Sequence, residues 1–394
     1  MDPNPDRPDP RVYELLGELP QALFPPEVVA SVRFVERYGK AWALEIAHRL
    51  ELEKSLSAGA GCEEIASGHG FQGDFAPALS WVLGALVEAG LVTVENGGGE
   101  ALFRRDLPLP GAELVRLRDQ GLELEPGLEP VLDLLDAAGR AYPAAAFEAR
   151  AGEEALLGPA GVALWGRYFS NANPLYAFNN RIAALAAANR LTGAPLRLLE
   201  VGAGGGSGTE ALLEVLRERD ELGALESFQV TEPSPFFRRR SQRALGAAWP
   251  GVPLSFADLD IDRPWAEQGV EPGSLDLVYG VNVLHVAKNL GASLAEAFAS
   301  LRPGGWLVAG ECLRPYPGQT IAIEMVFELL PGFRQVELDP EIRPEAGFLT
   351  PEQWRAAFSR AGFAPIQLVP DVESLREVFA QFFVGAVCGR KPLP

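Results

Sequence analysis

Six side chains able to do chemistry, Glu200, Glu232, Asp258, Asp260, His285 and Glu311, stand at the ends of apolar runs. The first run, LRLLE, breaks into VGAGGGSGTE, which holds Gly202, Gly204 and Gly206 among five glycines in seven positions. A strand feeding such a loop into a helix brings backbone N–H groups and the positive helix end close to a ligand. The dinucleotide spacing GxGxxG fails, because Ser207 or Thr209 stands where the third glycine is needed, and no Gly-Lys-Ser/Thr follows to make a phosphate loop. Glu200 beside the loop would repel a pyrophosphate, whereas it favours a cation. The competing account is a glycine-rich turn that only lets helix and strand pack closely.

The chain has three histidines, His48, His69 and His285, and only His285 follows an expected parallel strand at its carboxyl end, where ligands of such sheets sit. Imidazole ionises near neutrality and can take a proton from a carbon acid or hydroxyl, and a carboxylate on its other nitrogen fixes the tautomer. Otherwise His285 caps its strand, and Glu311 is plain solvated surface.

These residues need a parallel sheet to hold them. From about residue 196 short apolar strands alternate with helices: LRLLEV, TEALLEVLRER, SFQVTE and SPFFRRRSQRALGAA, then VPLSF, SLDLVYGV, GWLVAGE, PIQLV and FFVGAVCG. Alternation of this kind predicts an α/β fold, a Rossmann-like seven-stranded, mostly parallel sheet with helices on both faces. Ahead of it, residues 1–25 read as a flexible tail and residues 26–52 as two helices. GCEEIASGHGF and FAPALSWVLGALVEAG add a short and a longer helix, each stopped by glycine, and LVTV and EALF flank ENGGG as a hairpin. Helix, helix, hairpin is the winged-helix order, so residues 26–108 form a mainly helical domain, 109–165 a helical connector and 166–394 the sheet domain.

Of 394 residues, 34 are basic and 53 acidic, and a formal charge of -19 disfavours nucleic acid and anionic membranes as partners. Cys62, Cys312 and Cys388 are scattered without CxxC spacing, which indicates neither disulfides nor zinc, and no metal site is expected. The start, MDPNPDRPDP, leads into no apolar export segment, and a cytoplasmic protein is the expectation.

Glu200, Gly202, Gly204 and Gly206 fit E/D-x-G-x-G-x-G, and in this the region resembles S-adenosylmethionine-dependent methyltransferases. That resemblance implies S-adenosyl-L-methionine as cofactor and S-adenosyl-L-homocysteine as its product. It makes Glu232 the acid for the ribose hydroxyls and Asp260 the acceptor for the adenine amino group. Asp258 is the alternate, Leu259 and Asn282 are neighbours at the cofactor, and Asp262 faces solvent. From Leu259, LDIDRPWAEQGVEPGSLDLVYGVNVLHVAKNL is similar to the carbon methyltransferase domains of polyketide synthases, with their L-D-I, Q-G, D-x-V and N-V-L-H in the same order. Asp260, Gln268, Gly269, Asp276, Asn282 and His285 fall on that pattern, while Val286 and Ala287 depart from its Ala-Thr. RPGGWLVAGE, LLPGF and FLTPEQWRAAFSRAGF extend the likeness over roughly residues 190–390.

The polyketide resemblance implies that His285 and Glu311 act as a catalytic pair. It also implies that RYFSNANPLYAFNNRI, with Tyr168, Phe169, Tyr176 and Phe178, covers the cofactor, helix packing being the alternative. EMVFELLPGF reads as packing rather than as a lid. A winged-helix segment ahead of such a core also resembles small-molecule O-methyltransferases, in which it supports a homodimer and walls the acceptor. The expected acceptor is a small polyketide-like molecule, free or carrier-bound, methylated on carbon or oxygen; the acidic charge favours a free one unless RRRSQR serves for docking. Two other readings stand beside this: a cofactor-binding fold that runs another reaction, and a ligand-binding winged-helix regulator. Against the regulator, FAPALSWVLGALVEAG lacks Arg and Lys.

Overall fold

The structure is a computed structural model and describes residues 8–97 and 100–394. The chain divides into two units. One comprises Glu27–Tyr168 with Gly318–Arg334, and the other the chain up to Pro26, Phe169–Pro317 and Gln335–Pro394.

In the first unit, helix α1 (Pro26–Arg49) runs without a break through the stretch expected to hold two helices. Gly39 does not interrupt it. A Cβ there would lie 2.6 Å from that of Ala322, so the glycine serves close packing rather than a turn. Helices α2 (Cys62–His69) and α3 (Ala76–Glu88) are followed by left-handed Gly70 and Gly90, as expected. Strands β1 (Ala60–Gly61), β2 (Thr93–Gly97) and β3 (Glu100–Arg104) form a sheet in the order β1-β3-β2. Gly98 and Gly99, in the expected hairpin turn, lie outside the described residues.

The stretch expected as a connector packs in this unit instead. Its helix α4 (Leu114–Leu124) is followed by α5 (Glu129–Ala145), whose Asp136 accepts from the Tyr38 hydroxyl at 2.6 Å and the Trp42 indole at 2.9 Å. Leu132, Leu134 and Leu135 of α5 are fully buried. EMVFELLPGF belongs here too: Phe327 packs on Trp165 and Phe333, with centroids 5.5 and 5.1 Å apart.

The second unit is built on seven strands: β4 (Leu196–Glu200), β5 (Leu225–Thr231), β6 (Leu254–Ala257), β7 (Leu275–Val281), β8 (Leu301–Cys312), β9 (Ile366–Val369) and β10 (Val384–Arg390). Their order is β6-β5-β4-β7-β8-β10-β9, parallel except that β10 runs against β8 and β9. Every residue of β7 is buried, which fits its near-unbroken apolar sequence at the middle of a two-faced sheet. Strand order reverses between β4 and β7, and at such a switch point the crevice at the carboxyl ends is left open for ligands. Helices α6 (Pro174–Ala188), α7 (Ser207–Glu218), α8 (Pro235–Ala248), α9 (Leu290–Ser300) and α10 (Pro351–Arg360) complete the unit.

Residues 8–25, expected to be loose, are instead tied to this second unit. Val12, Leu16, Leu19 and Phe24 are buried, the Phe24 ring meets Phe178 edge-on at 4.9 Å, and Glu18 pairs with buried Arg190 at 2.6 Å. Composition suggested a polar, proline-rich tail; the apolar residues spaced through it supply the anchors.

Candidate functional site

At the carboxyl ends of β4, β5, β6 and β7 lies a cavity of about 360 Å³, confined to the second unit. Its wall begins where β4 stops. Gly202 and Gly204 take φ of 61° and 53°, left-handed conformations that favour glycine. A Cβ on Gly202 would come within 2.6 Å of the Val283 side chain, and one on Gly208 within 2.7 Å of the Glu200 carboxylate. Both glycines therefore let backbone approach a neighbouring strand end. Gly206, with φ of 91°, caps α7 and packs toward Leu245 and Ser241 of α8. It does not line the cavity, in contrast to the expectation.

Glu200 lines the cavity yet is 1% exposed, and it accepts a hydrogen bond from the Thr209 hydroxyl. Burial pushes its carboxyl up to about 8, against the pull of the Thr209 hydrogen bonds. Glu232, just past β5, accepts from the Gly204 and Ser234 N–H groups, both at 2.9 Å, one on each oxygen. Burial raises this carboxyl as well, and the same two N–H groups oppose the shift.

Beyond β6 the chain turns at Asp260. The Gln268 side chain grips this residue on both sides, accepting its N–H at 2.8 Å and donating to its C=O at 2.9 Å. Leu259, Asp260 and Ile261 line the cavity. Asp262 is exposed, as expected, and also lines the cavity, where it accepts the Lys288 N–H at 2.7 Å. Asp258 points away: its side chain is 69% exposed, and the guanidinium of Arg238 on α8 pairs with it there at 3.5 Å.

After β7, Asn282 adopts φ of 55°, a conformation that Asn tolerates better than most residues. Its N–H donates to the Gly310 carbonyl at 2.7 Å, its Oδ1 accepts from the Cys312 N–H at 3.0 Å, and its side chain bonds Tyr176. Tyr176 and Phe169 pack ring to ring, centroids 5.3 Å apart, and both line the cavity. The other two expected covering residues do not. Phe178 is core, wedged against Phe24 and Phe382, and Tyr168 falls in the first unit, edge-on to Trp165.

Next comes a single 3-10 turn, Leu284–Val286, carrying His285. The His285 Nδ1 lies 2.7 Å from Glu311 Oε2, while Glu311 Oε1 accepts the N–H groups of Leu284 at 2.8 Å and Val283 at 3.2 Å. His285 is 4% exposed and Glu311 is fully buried. Neither lines the cavity, although Asn282, Val283 and Val286 on the same segment do. The Phe348 ring lies against the imidazole, centroids 4.9 Å apart.

Asp276, part of the sequence pattern, sits at the opposite end of β7, where it accepts the Arg197 N–H at 2.7 Å and pairs with Arg302. Sequence reasoning missed Thr209 and Arg343. The guanidinium of Arg343 donates to the carbonyls of the His285 turn. Thr209 follows the glycine run by one residue and was open to notice; Arg343 lies 58 residues beyond its partner and left no signal.

The described residues lining the cavity include four carboxylates, Glu200, Glu232, Asp260 and Asp262, and no Lys or Arg. Such a lining suits a ligand with cationic groups and hydroxyls and opposes a phosphate. A seven-stranded sheet with its acidic glycine loop at the switch point is the architecture of the methyltransferases that use a sulfonium donor.

Comparison with known proteins agrees. Residues 199–307 match a methyltransferase-domain family. The chain is 33% identical over 205 residues to methyltransferase calH of Penicillium decumbens, covering 52% of this chain and 51% of that protein. It is 34% identical over 182 residues to highly reducing polyketide synthase 2 of Gibberella zeae, 44% of this chain but 7% of the synthase. The chain thus spans about half the length of one of these relatives and under a tenth of the other. Among solved structures, the CurJ carbon methyltransferase superposes with a TM-score of 0.76 at 20% identity, covering 97% of this chain and 96% of that one. The DszA carbon methyltransferase gives 0.73 at 23% identity, with 98% and 94% covered, and CalH bound to S-adenosylhomocysteine gives 0.61 at 22% identity, with 92% of each covered. The fold is that of these carbon methyltransferases. Among the described residues no helix is long and apolar enough to cross a membrane, and no three His, Cys, Asp or Glu cluster to hold a metal ion.

Proposed function

We propose that the chain is an S-adenosylmethionine-dependent methyltransferase acting on a carbon nucleophile of a polyketide-like acceptor, with His285 as general base and Glu311 as its support. The observation that carries the reading is the 2.7 Å contact between His285 Nδ1 and a fully buried Glu311. Cofactor identity rests on the methyltransferase-domain match and on the solved CalH complex with S-adenosylhomocysteine, a protein of the same fold. When bound, S-adenosylmethionine supplies an electrophilic methyl group.

The chain's own residues divide the remaining work. Glu232, its two oxygens each fixed by one backbone N–H, keeps further lone pairs for the ribose hydroxyls. Asp260, gripped by Gln268, offers its carboxylate to the adenine amino group. Glu200 and the rings of Phe169 and Tyr176 favour a positive charge in the cavity. Glu311 holds His285 in the Nδ1–H tautomer, which leaves Nε2 to receive the proton, and its negative charge stabilises the imidazolium that results.

A carbon between a ketone and a thioester is acidic enough for an imidazole to deprotonate, and its carbanion is the nucleophile. The test is incubation with methyl-labelled S-adenosylmethionine and a β-ketoacyl pantetheine thioester. Labelled thioester is the expected product; cofactor binding without transfer of label to any acceptor overturns the reading.

A further inference from the structure

The single turn that carries His285 is held at both ends by opposite charges. On its N–H side, Glu311 Oε1 accepts from Leu284 and Val283. On its C=O side, Arg343 Nη1 donates to the Ala287 carbonyl at 2.6 Å, and Nη2 reaches the His285 and Leu284 carbonyls at 3.3 and 3.5 Å. Within the turn itself the Leu284 carbonyl accepts the Ala287 N–H at 3.2 Å; for the other groups two side chains from distant parts of the chain supply the partners.

Arg343 is costly to place there. It is 1% exposed, its Nε has no partner, and among the described residues no carboxylate comes within ion-pair distance of it. Burial lowers its affinity for its proton, a shift opposed by the more distant Glu311 and Asp262. A buried guanidinium satisfied by carbonyls alone is a poor way to gain stability, since an apolar side chain would fill the space without the desolvation. Its own segment does not need the charge either: the backbone of Arg343 already exchanges both hydrogen bonds with Asp339, at 2.8 Å each.

We infer that Arg343 is a positioning residue for His285: by binding the three carbonyls of the Leu284–Ala287 turn it fixes the imidazole against Glu311. Its effect on turnover rests on His285 being the base; its effect on the ring does not. Without the guanidinium, the His285 and Ala287 carbonyls lose their donor, the turn relaxes, and the Nδ1 contact with Glu311 is no longer held.

The test uses the full chain labelled with [15N]histidine. With three histidines in the sequence, each ring nitrogen can be assigned by nuclear magnetic resonance, and the spectrum reports the tautomer directly at a pH where the rings are neutral. Wild type is expected to show His285 in the Nδ1–H form alone. Arg343→Met should add an Nε2–H population at His285, leave His48 and His69 unchanged, and lower turnover by about a hundredfold with S-adenosylhomocysteine affinity unchanged. Arg343→Lys keeps the charge but has one nitrogen where the guanidinium has two at the carbonyls, so it should recover part of the Nδ1–H form and part of the rate. If Arg343→Met does not fold, Arg343→Lys and Arg343→Gln are read in its place. A variant that melts at lower temperature but keeps the single Nδ1–H tautomer overturns the inference and leaves Arg343 a merely structural residue. Absence of methyl transfer in the wild type would instead defeat the proposed function, while the tautomer would still decide the role of Arg343.

Discussion

Two turns leave neighbouring strands of the same sheet and differ in almost every physical respect. After β4 the chain makes a turn of glycines, whose bare backbone and flanking carboxylates face an open cavity. After β7 it makes a turn of larger residues, and here the carboxylate of Glu311 faces inward, spent on two N–H groups and one imidazole. One turn is shaped to receive a molecule, the other to hold a side chain still. In the proposed function, binding and proton removal fall to separate, adjacent pieces of backbone that meet at Val283, whose side chain closes on Gly202.

If this division holds, substitutions in the two turns should fail differently. The largest effect is expected for His285→Ala, which should lower turnover by roughly two to four orders of magnitude. Cofactor affinity, measured by calorimetry, should stay as it was, because His285 does not line the cavity. Equal loss of both would merge the two turns into one site. Glu232→Ala comes next: removing an acceptor of two backbone N–H groups and of the ribose should weaken S-adenosylhomocysteine binding about tenfold to a hundredfold, on the order of 1–3 kcal/mol.

A smaller effect distinguishes Glu200 from its neighbour. Its carboxyl, raised from 4.5 to about 8, is protonated in the empty fold at neutral pH. The raised value means that its contribution to stability is complete below about pH 4.5 and is lost as pH rises through about 8. A cation in the cavity should draw the proton off, so binding at pH 7 should release up to about one proton, visible as heats that depend on the buffer's ionisation enthalpy. Glu200→Gln should abolish that dependence and flatten the fall of melting temperature between pH 5 and 8. Buried Glu36, also raised to about 8 by burial, would keep its own share of the slope. The smallest effect belongs to Asp258→Asn: exposed and paired only with Arg238, it should change cofactor affinity less than twofold.

The first turn was legible in the sequence because its physics is local. Left-handed backbone favours glycine, a strand end precedes it, and the acids that face the cavity follow the ends of neighbouring strands. Asp258 falls outside the cavity because beyond β6 the chain leaves the strand, and which side chain then faces inward is set by the turn at Asp260 rather than by the residue pattern. The second turn was only half legible. His285 and Glu311 stand out by residue type, but the clamp by Arg343 depends on a loop brought back from 58 residues away. Residues 8–25 look loose in the sequence for the same reason: their partners Phe178, Phe382 and Arg190 lie more than 150 positions on.

The most direct test of the account is where the methyl group goes. With [13C]methyl-S-adenosylmethionine and a β-ketoacyl pantetheine thioester, the product's carbon spectrum should show a labelled methyl bonded to the carbon between the two carbonyls, in the range of an alkyl branch. A labelled methyl in the range of a methoxy group, or none at all with cofactor bound, would contradict it.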